Sequence, residues 1–365
     1  MEPARRDLRS LAGLRHPLIQ SPMATASTPA LAIAVSNAGG LGSLAGGLLG
    51  PEALRSAIRA IRAGTSQPFN VNLFVLHPAP TEHRKLARAA ELIAEIERET
   101  GADRFELPPL PAPPSFEEQL EIVIEERVPV CSFTFGIPAA DQLDAVHESG
   151  AIILGMSTNV DEACQLEQAG FSAVIAQGAE AGGHRAAHSD QGPLIGLTEL
   201  LRQCLEAVAV PIVASGGIMN GKDIAQIMGR GAAGVQLGTA FLCCPETELL
   251  PAWRAAILGG GETVVTRTLT GKPARAIRNV LIDRLEPFEP ELPAFPHFAA
   301  LTARLRAWAA AHGRKDYLPL LAGVGIEGAR TLPAGELIAA LIREMNEEGG
   351  VTSGSERSPP CHTIF

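Results

Sequence analysis

The stretch AQGAEAGGHR, residues 176–185, is the feature from which we interpret the whole chain. It follows an apolar run that is typical of a buried strand, and its three glycines precede a histidine. Because glycine has no Cβ, a strand that ends in Gly178, Gly182 and Gly183 lets the backbone approach another group closely. His184 comes at that point, and an ordinary pKa of about 6.5 suits it to act as a general base. The alternative is a glycine-rich turn with an exposed histidine.

The composition is that of a soluble globular enzyme with an ample core. Of the 365 residues, 46% are hydrophobic and 19% are charged, and 30 basic against 40 acidic residues give a net charge of −10. No basic block or stripe occurs, which argues against nucleic acid as a partner. A chain of this charge does not steer anions from a distance, so any anionic ligand must be held by local groups.

Cysteine usage and hydropathy favour a cytoplasmic protein. The six cysteines show no C-x-x-C spacing, which favours reduced thiols. The N-terminal residues carry charges without a following apolar segment, so we expect no secretory signal. No apolar run is long enough to span a bilayer, and we expect no membrane partner.

Short apolar runs alternate with helical stretches along residues 1–260. Apolar runs without polar alternation are typical of parallel strands that are covered by helices on both faces. Eight βα units in roughly 250 residues predict a TIM barrel. A doubly wound open sheet is the alternative, but its G-x-G-x-x-G fingerprint is missing after the first strand. The eight predicted strands are residues 18–24, 40–45, 69–75, 128–135, 151–157, 173–177, 211–215 and 234–237.

Three segments interrupt or follow this alternation. Residues 76–127 predict a largely helical insertion after strand three, either a lid or a surface excursion without a catalytic role. Residues 261–348 predict a small, mostly helical domain, in which residues 317–328 return to the barrel mouth. Residues 349–365 are predicted to be a disordered tail.

Glycine turns after strands seven and eight indicate a phosphate site. Active sites of TIM barrels lie at the carboxyl ends of the strands, and phosphate commonly binds after strands seven and eight. Strand seven is followed by Gly216 and Gly217, and strand eight by Gly238 and Thr239. Their N–H groups and the Thr239 hydroxyl can bind an anion. The phosphate could belong to a sugar, a nucleotide or FMN.

Residues at other strand ends favour a flat ring with polar edges over a compact phosphosugar. The amides of Asn70 and Gln177 are potential hydrogen-bond partners, and Met23 and Gly182 belong to a floor of small or slender residues. The alternative is that the two amides only satisfy the loop backbone.

Five stretches resemble the nitronate monooxygenases, formerly called 2-nitropropane dioxygenases, over about residues 14–345. A bacterial flavin-dependent enoyl-acyl-carrier-protein reductase shares nearly all of them, so they specify the FMN-dependent barrel better than one reaction. The stretches are PLIQSPMATASTPALAIAVSNAGGLGSLAGG (17–47), FNVNLFV (69–75), CSFTFGIP (131–138), AQGAEAGGHR (176–185) and PIVASGGIMNGKDIAQIMGRGAAGVQLGTAFL (211–242).

This resemblance implies a flavin-dependent oxidoreductase without a metal. Dioxygen would oxidise alkyl nitronates, and also neutral nitroalkanes, to carbonyl compounds and nitrite, with His184 as the base or as the residue that orients the substrate. The alternative is an enoyl-acyl-carrier-protein reductase that uses FMN and NAD(P)H, with His184 beside the thioester. The sequence does not determine the oligomeric state of the protein, and a homodimer is one alternative. The resemblance assigns FMN binding to Met23, Asn70, Gln177, Gly182, Gly216, Gly217, Gln236, Gly238 and Thr239.

Three positions depart from the family pattern. Because of them, the resemblance specifies the substrate less closely than the fold and the cofactor. Thr134 stands where many members have histidine, Ala186 where glycine is common, and Val324 where glutamine is frequent. Arg185, next to His184, would favour the neutral imidazole if its guanidinium lies close.

Overall fold

Eight parallel strands form a barrel in the computed structural model, which describes residues 7–76, 81–107 and 114–351. The predicted TIM barrel is confirmed. The described residues contain eleven strands, which are β1 (Leu18–Gln20), β2 (Gly42–Ala45), β3 (Phe69–Phe74), β4 (Val130–Thr134), β5 (Ile152–Ser157), β6 (Ala173–Gln177), β7 (Gly183–His184), β8 (Ile212–Ser215), β9 (Gly234–Leu237), β10 (Thr263–Thr266) and β11 (Ala274–Ile277). All of them except β7, β10 and β11 belong to the barrel.

The barrel strands follow the order β1-β9-β8-β6-β5-β4-β3-β2. A parallel bridge between Ile19 and Leu41 joins the first and last members of this order and closes the barrel. Their side chains fill the interior together with other apolar residues from several strands. Because both faces of the strands are covered, the apolar runs in the sequence lack polar alternation.

Fifteen α-helices surround or extend this barrel within the described residues. They are α1 (Leu8–Ala12), α2 (Pro29–Asn37), α3 (Pro51–Gly64), α4 (His83–Thr100), α5 (Phe116–Glu125), α6 (Ala140–Glu148), α7 (Val160–Gln168), α8 (Leu197–Ala207), α9 (Gly221–Gly229), α10 (Thr239–Leu242), α11 (Pro251–Leu258), α12 (Val280–Leu285), α13 (His297–Leu301), α14 (Ala303–Ala311) and α15 (Ala334–Val351). None of them is both long and apolar enough to cross a membrane.

Helices of the predicted insertion and C-terminal domain pack in two different places. Helix α5 packs on α3 and β3, as the helix after the third barrel strand should, and α15 packs against α9 and α2. Helix α4 instead packs on α13, and its Leu92 and Ile93 share an apolar cluster with Phe298 and Leu305. We propose, as a refinement of the predicted division, that α15 belongs to the barrel and α4 to the C-terminal domain, here called the appendage.

The appendage also contains a small antiparallel sheet, in which β11 pairs with β10 on one side and β7 on the other. Ala274 lies opposite His184 in this sheet. The loop after strand β6 is therefore fixed by the appendage. The predicted tail beyond Val351 lies outside the described residues.

Candidate functional site

A cavity with about 1020 Å³ of empty space, including its mouth, opens at the carboxyl ends of the barrel strands. Most of the predicted site residues meet at this cavity, although they come from distant parts of the chain. They are Met23, Gln177, Gly182, His184, Gly216, Gly217, Gln236, Gly238 and Thr239.

Asn70 does not line the cavity, whereas Asn72 does. Both side chains point into the barrel because strand residues two apart share a face. Asn70 lies deeper, and its Nδ2 donates to Ser43 Oγ at 3.1 Å and Ser132 Oγ at 3.0 Å. Asn72 is closer to the carboxyl end of β3, and its Nδ2 donates to Thr134 Oγ1 at 2.9 Å. The sequence pattern identified the strand face that points into the barrel, and Asn70 Oδ1 has no hydrogen-bond partner among the described residues. Asn70 therefore stays a predicted FMN residue, and Asn72 is a further candidate at the cavity.

The glycine turns after β8 and β9 leave backbone donors available. Gly216 and Gly217 have φ values of 127° and 70°, which side-chain-bearing residues rarely adopt. Among the described residues, the N–H groups of Gly216, Gly217 and Gly238 have no backbone or side-chain acceptor. Helix α10 after β9 is one turn of four residues, so its dipole adds little. The donors themselves make this end of the cavity suitable for phosphate.

The close backbone approach predicted for Gly182 occurs, but the neighbour is the chain itself. A Cβ at this position would lie 2.5 Å from the carbonyl carbon of Ala322 and closer still to the nitrogen of Gly323. The N–H of Gly323 donates to Thr239 Oγ1 at 2.9 Å. The segment that returns from the appendage therefore packs directly against two predicted cofactor residues, and Val324 also lines the cavity.

Two buried polar atoms on the cavity wall lack partners. Gln236 Oε1 and Trp253 Nε1 have no hydrogen bond within the described residues. Buried polar groups are usually satisfied, so an unpartnered acceptor and an unpartnered donor in one cavity indicate a ligand with polar edges. Trp253 comes from α11, and no sequence signal distinguished it from an ordinary core residue.

His184 lies between the barrel and the appendage. Its Nε2 is 2.8 Å from Thr270 Oγ1, and its carbonyl accepts a hydrogen bond from Gln177 Nε2 at 3.2 Å. The rings of Phe135 and Phe295 stand with their centroids 6.3 Å from that of the imidazole. The half-buried side chain is thus flanked by aromatic rings and held by one hydroxyl group while it borders the cavity.

This environment lowers the pKa of His184 to about 4. Burial is the main cause, because it penalises the imidazolium; the positive charges of Lys272 and Arg306 lower the pKa further, and Asp190 opposes them. Arg185 does not contribute as the sequence suggested, since its guanidinium donates to Thr158 Oγ1 and the Pro193 carbonyl. The imidazole is therefore neutral at physiological pH.

The appendage supplies two neighbours of His184 that sequence reasoning missed. Lys272 is only 9% exposed; its ammonium lies 2.6 Å from Asp190 Oδ1 and 4.5 Å from the centroid of the Phe135 ring. Thr270 is 5% exposed. Both belong to the stretch TGK after β10, which carries no recognised motif and reaches His184 only through the fold.

The sequence and the fold are similar to those of known proteins. The family model described as nitronate monooxygenase matches residues 5–344. A nitronate monooxygenase from Pseudomonas aeruginosa is 39% identical over 346 residues, covering 92% of this chain and 97% of that protein. The structure of a nitroalkane oxidase from Streptomyces ansochromogenes has a TM-score of 0.87 and 36% identity, covering 94% of this chain and 99% of that chain. FabK from Thermotoga maritima has a TM-score of 0.76 and 27% identity, with 96% and 99% covered.

Proposed function

The chain belongs to the nitronate monooxygenase family, and from this premise we propose that it oxidises alkyl nitronates with dioxygen to carbonyl compounds and nitrite. The observation that carries the proposal is the neutral His184 on the wall of a cavity that also contains unpartnered backbone donors. Such a cavity suits a small anionic substrate next to a larger cofactor that ends in a phosphate.

His184 has two available roles at this position. A neutral imidazole can accept the α proton of a nitroalkane, and the resulting negative charge moves onto the nitro oxygens. A nitronate already lacks that proton, so there His184 would orient the anion through an N–H group. Lys272 and Arg306 favour an anion in either case, because both raise the positive potential at the imidazole.

FMN is the cofactor that the residues of the cavity fit. The N–H groups of Gly216, Gly217 and Gly238 would hold its phosphate, and Gln236 Oε1 and Trp253 Nε1 are available to a ring with polar edges. When bound, FMN supplies the electron transfer between nitronate and dioxygen. The protein contributes binding, orientation and the exclusion of water by the aromatic rings around His184.

Asn70 and Asn72 should differ in what their replacement changes. We expect Asn72→Ala to weaken FMN binding about tenfold, because Asn72 lines the cavity, and to lower the free energy of unfolding by about 1–3 kcal/mol, because its Nδ2 also donates to Ser132 and Thr134. Asn70→Ala should lower the free energy of unfolding by about 1–3 kcal/mol, since Ser43 Oγ loses its donor and Ser132 Oγ keeps only Asn72, and it should change the FMN affinity less than Asn72→Ala because Asn70 lies deeper in the barrel. Flavin fluorescence titration and urea unfolding separate the two effects. A larger loss of FMN affinity in Asn70→Ala than in Asn72→Ala would identify Asn70, and not Asn72, as the amide that holds the cofactor.

The pH profile should show no ionisation of His184 in the neutral range. Its pKa of about 4 lies below the ordinary value, so the imidazole stays neutral as the pH falls from 8 to 5 and becomes charged only below that range. We therefore expect kcat/KM for ethyl nitronate to show no step near pH 6.5. A single ionisation near pH 6.5 that disappears in His184→Ala would show that the site is more hydrated than this structure indicates.

Product analysis tests the proposed reaction. Purified protein loaded with FMN is supplied with ethyl nitronate in air, and oxygen uptake, nitrite and acetaldehyde are measured. We expect nitrite and acetaldehyde to form together with oxygen uptake and without NADPH. Reduction of an enoyl thioester by NADPH, in the absence of nitrite formation from nitronates, would instead identify the chain as an enoyl reductase.

A further inference from the structure

The contact between Thr270 and His184 determines which nitrogen of the imidazole carries the proton. Thr270 Oγ1 lies 2.8 Å from His184 Nε2, and it also accepts the backbone N–H of Lys272 at 3.4 Å. No other hydrogen bond of this hydroxyl group occurs among the described residues, and Thr270 is nearly inaccessible to solvent. The proton of the Thr270 hydroxyl must therefore either point at Nε2 or remain without an acceptor.

Only one tautomer of His184 satisfies the hydrogen bonding of the imidazole Nε2, the Thr270 hydroxyl group and the backbone N–H of Lys272. If Nε2 carried the proton, Oγ1 would accept it together with the N–H of Lys272, and the buried hydroxyl proton would have no acceptor. If Nδ1 carries the proton, the hydroxyl donates to Nε2 while its oxygen accepts the N–H of Lys272. Buried donors without partners are unfavourable, so the second arrangement is preferred.

In that tautomer, the Nδ1–H group of His184 is available to a ligand. Nδ1 has no partner among the described residues and is not among the fully enclosed atoms that lack one. His184 borders the cavity, and the charged groups that affect it are the cations Lys272 and Arg306 and the anion Asp190. Two cations and one anion give the Nδ1–H group a net positive environment. This group is therefore suited to donate a hydrogen bond to an oxygen atom of an anionic ligand.

We infer that Thr270 is a positioning residue, which fixes His184 as a hydrogen-bond donor through Nδ1 and makes it recognise the oxygen of a nitronate anion instead of removing a proton from carbon. The inference rests on the proposed function for the identity of the substrate, but the tautomer itself does not depend on it. It selects between the two roles of His184, and it predicts that nitronates are much better substrates than the corresponding neutral nitroalkanes.

The tautomer is measured directly by NMR on protein labelled with ¹⁵N-histidine at pH 7. The His184 signals are identified by their loss in His184→Ala. We expect the wild-type protein to carry the proton on Nδ1 and Thr270→Val to lose this preference, whereas Thr270→Ser, which keeps the hydroxyl, retains it. A wild-type His184 protonated on Nε2 would overturn the inference.

Kinetics with ethyl nitronate and nitroethane provide the second readout. Thr270→Val should raise KM for ethyl nitronate about 10- to 100-fold with a smaller change in kcat, as expected for a lost hydrogen bond to a charged group, and Thr270→Ser should restore it. Unchanged KM in Thr270→Val, or nitroethane turned over as fast as the nitronate, would contradict the donor role. A protein that shows the Nδ1 tautomer but turns over no nitronate would support the tautomer and refute the proposed function.

Discussion

Replacement of His184 by alanine is expected to lower kcat/KM for ethyl nitronate about 100-fold while the protein still binds FMN. The cavity would lose the donor or base that contacts the substrate, and losses of 10²- to 10³-fold follow the removal of one donor to a developing anion. The phosphate is proposed to bind at Gly216, Gly217 and Gly238, none of which hydrogen-bonds to His184 in the described part of the chain, so cofactor binding should persist.

The matched control for this variant is His188→Ala. His188 lies on the same loop, but its Nε2 is 3.1 Å from the carbonyl oxygen of Met156, and its side chain does not line the cavity. We expect its turnover to stay within about threefold of wild type, as for a residue outside the site. Steady-state kinetics are corrected for flavin content measured by absorbance. Full turnover by His184→Ala at full flavin content would remove His184 from the reaction.

Gly182→Ala is expected to disrupt the site through packing. The new Cβ would overlap the backbone of residues 322–323, which cannot move aside like the end of a flexible side chain. We expect the free energy of unfolding to fall by about 1–3 kcal/mol or more and FMN affinity to fall at least about tenfold, because the displaced segment contacts Thr239.

Gly229→Ala is the control for the glycine variant. A Cβ on Gly229 would meet no atom within 4 Å, and this residue does not have a positive φ. Its melting temperature should therefore stay close to wild type or rise slightly. Thermal unfolding and flavin titration of both variants test the packing argument. Equal flavin affinity in Gly182→Ala and wild type would show that residues 322–323 do not support the cofactor end of the cavity.

The sequence predicted the barrel and much of its site for a physical reason. Parallel strands covered on both faces must be apolar throughout, so the eight strands could be counted. Glycine turns and polar residues at strand ends then had to lie at one end of the barrel. The same period-two pattern could not separate Asn70 from Asn72, because both face inward and only their depth differs.

Contacts between the barrel and the appendage could not be predicted from local patterns. Helical periodicity identifies α4 and α5 as helices, but it does not show that only α5 packs on the barrel. Thr270 reaches His184 across 86 positions of sequence through the pairing of β11 with β7. The depressed pKa of His184 depends on the same contacts, since burial and Lys272 both come from the folded arrangement.

The central claim is that a nitronate, and not a nicotinamide, is the electron donor in this cavity. The most direct test mixes the FMN-loaded protein anaerobically with ethyl nitronate in one cell and with NADPH in another, and follows the visible absorption of the flavin. We predict rapid bleaching or a changed flavin spectrum with the nitronate and little response to NADPH. Rapid bleaching by NADPH with no response to nitronate would contradict the account and identify an enoyl reductase instead.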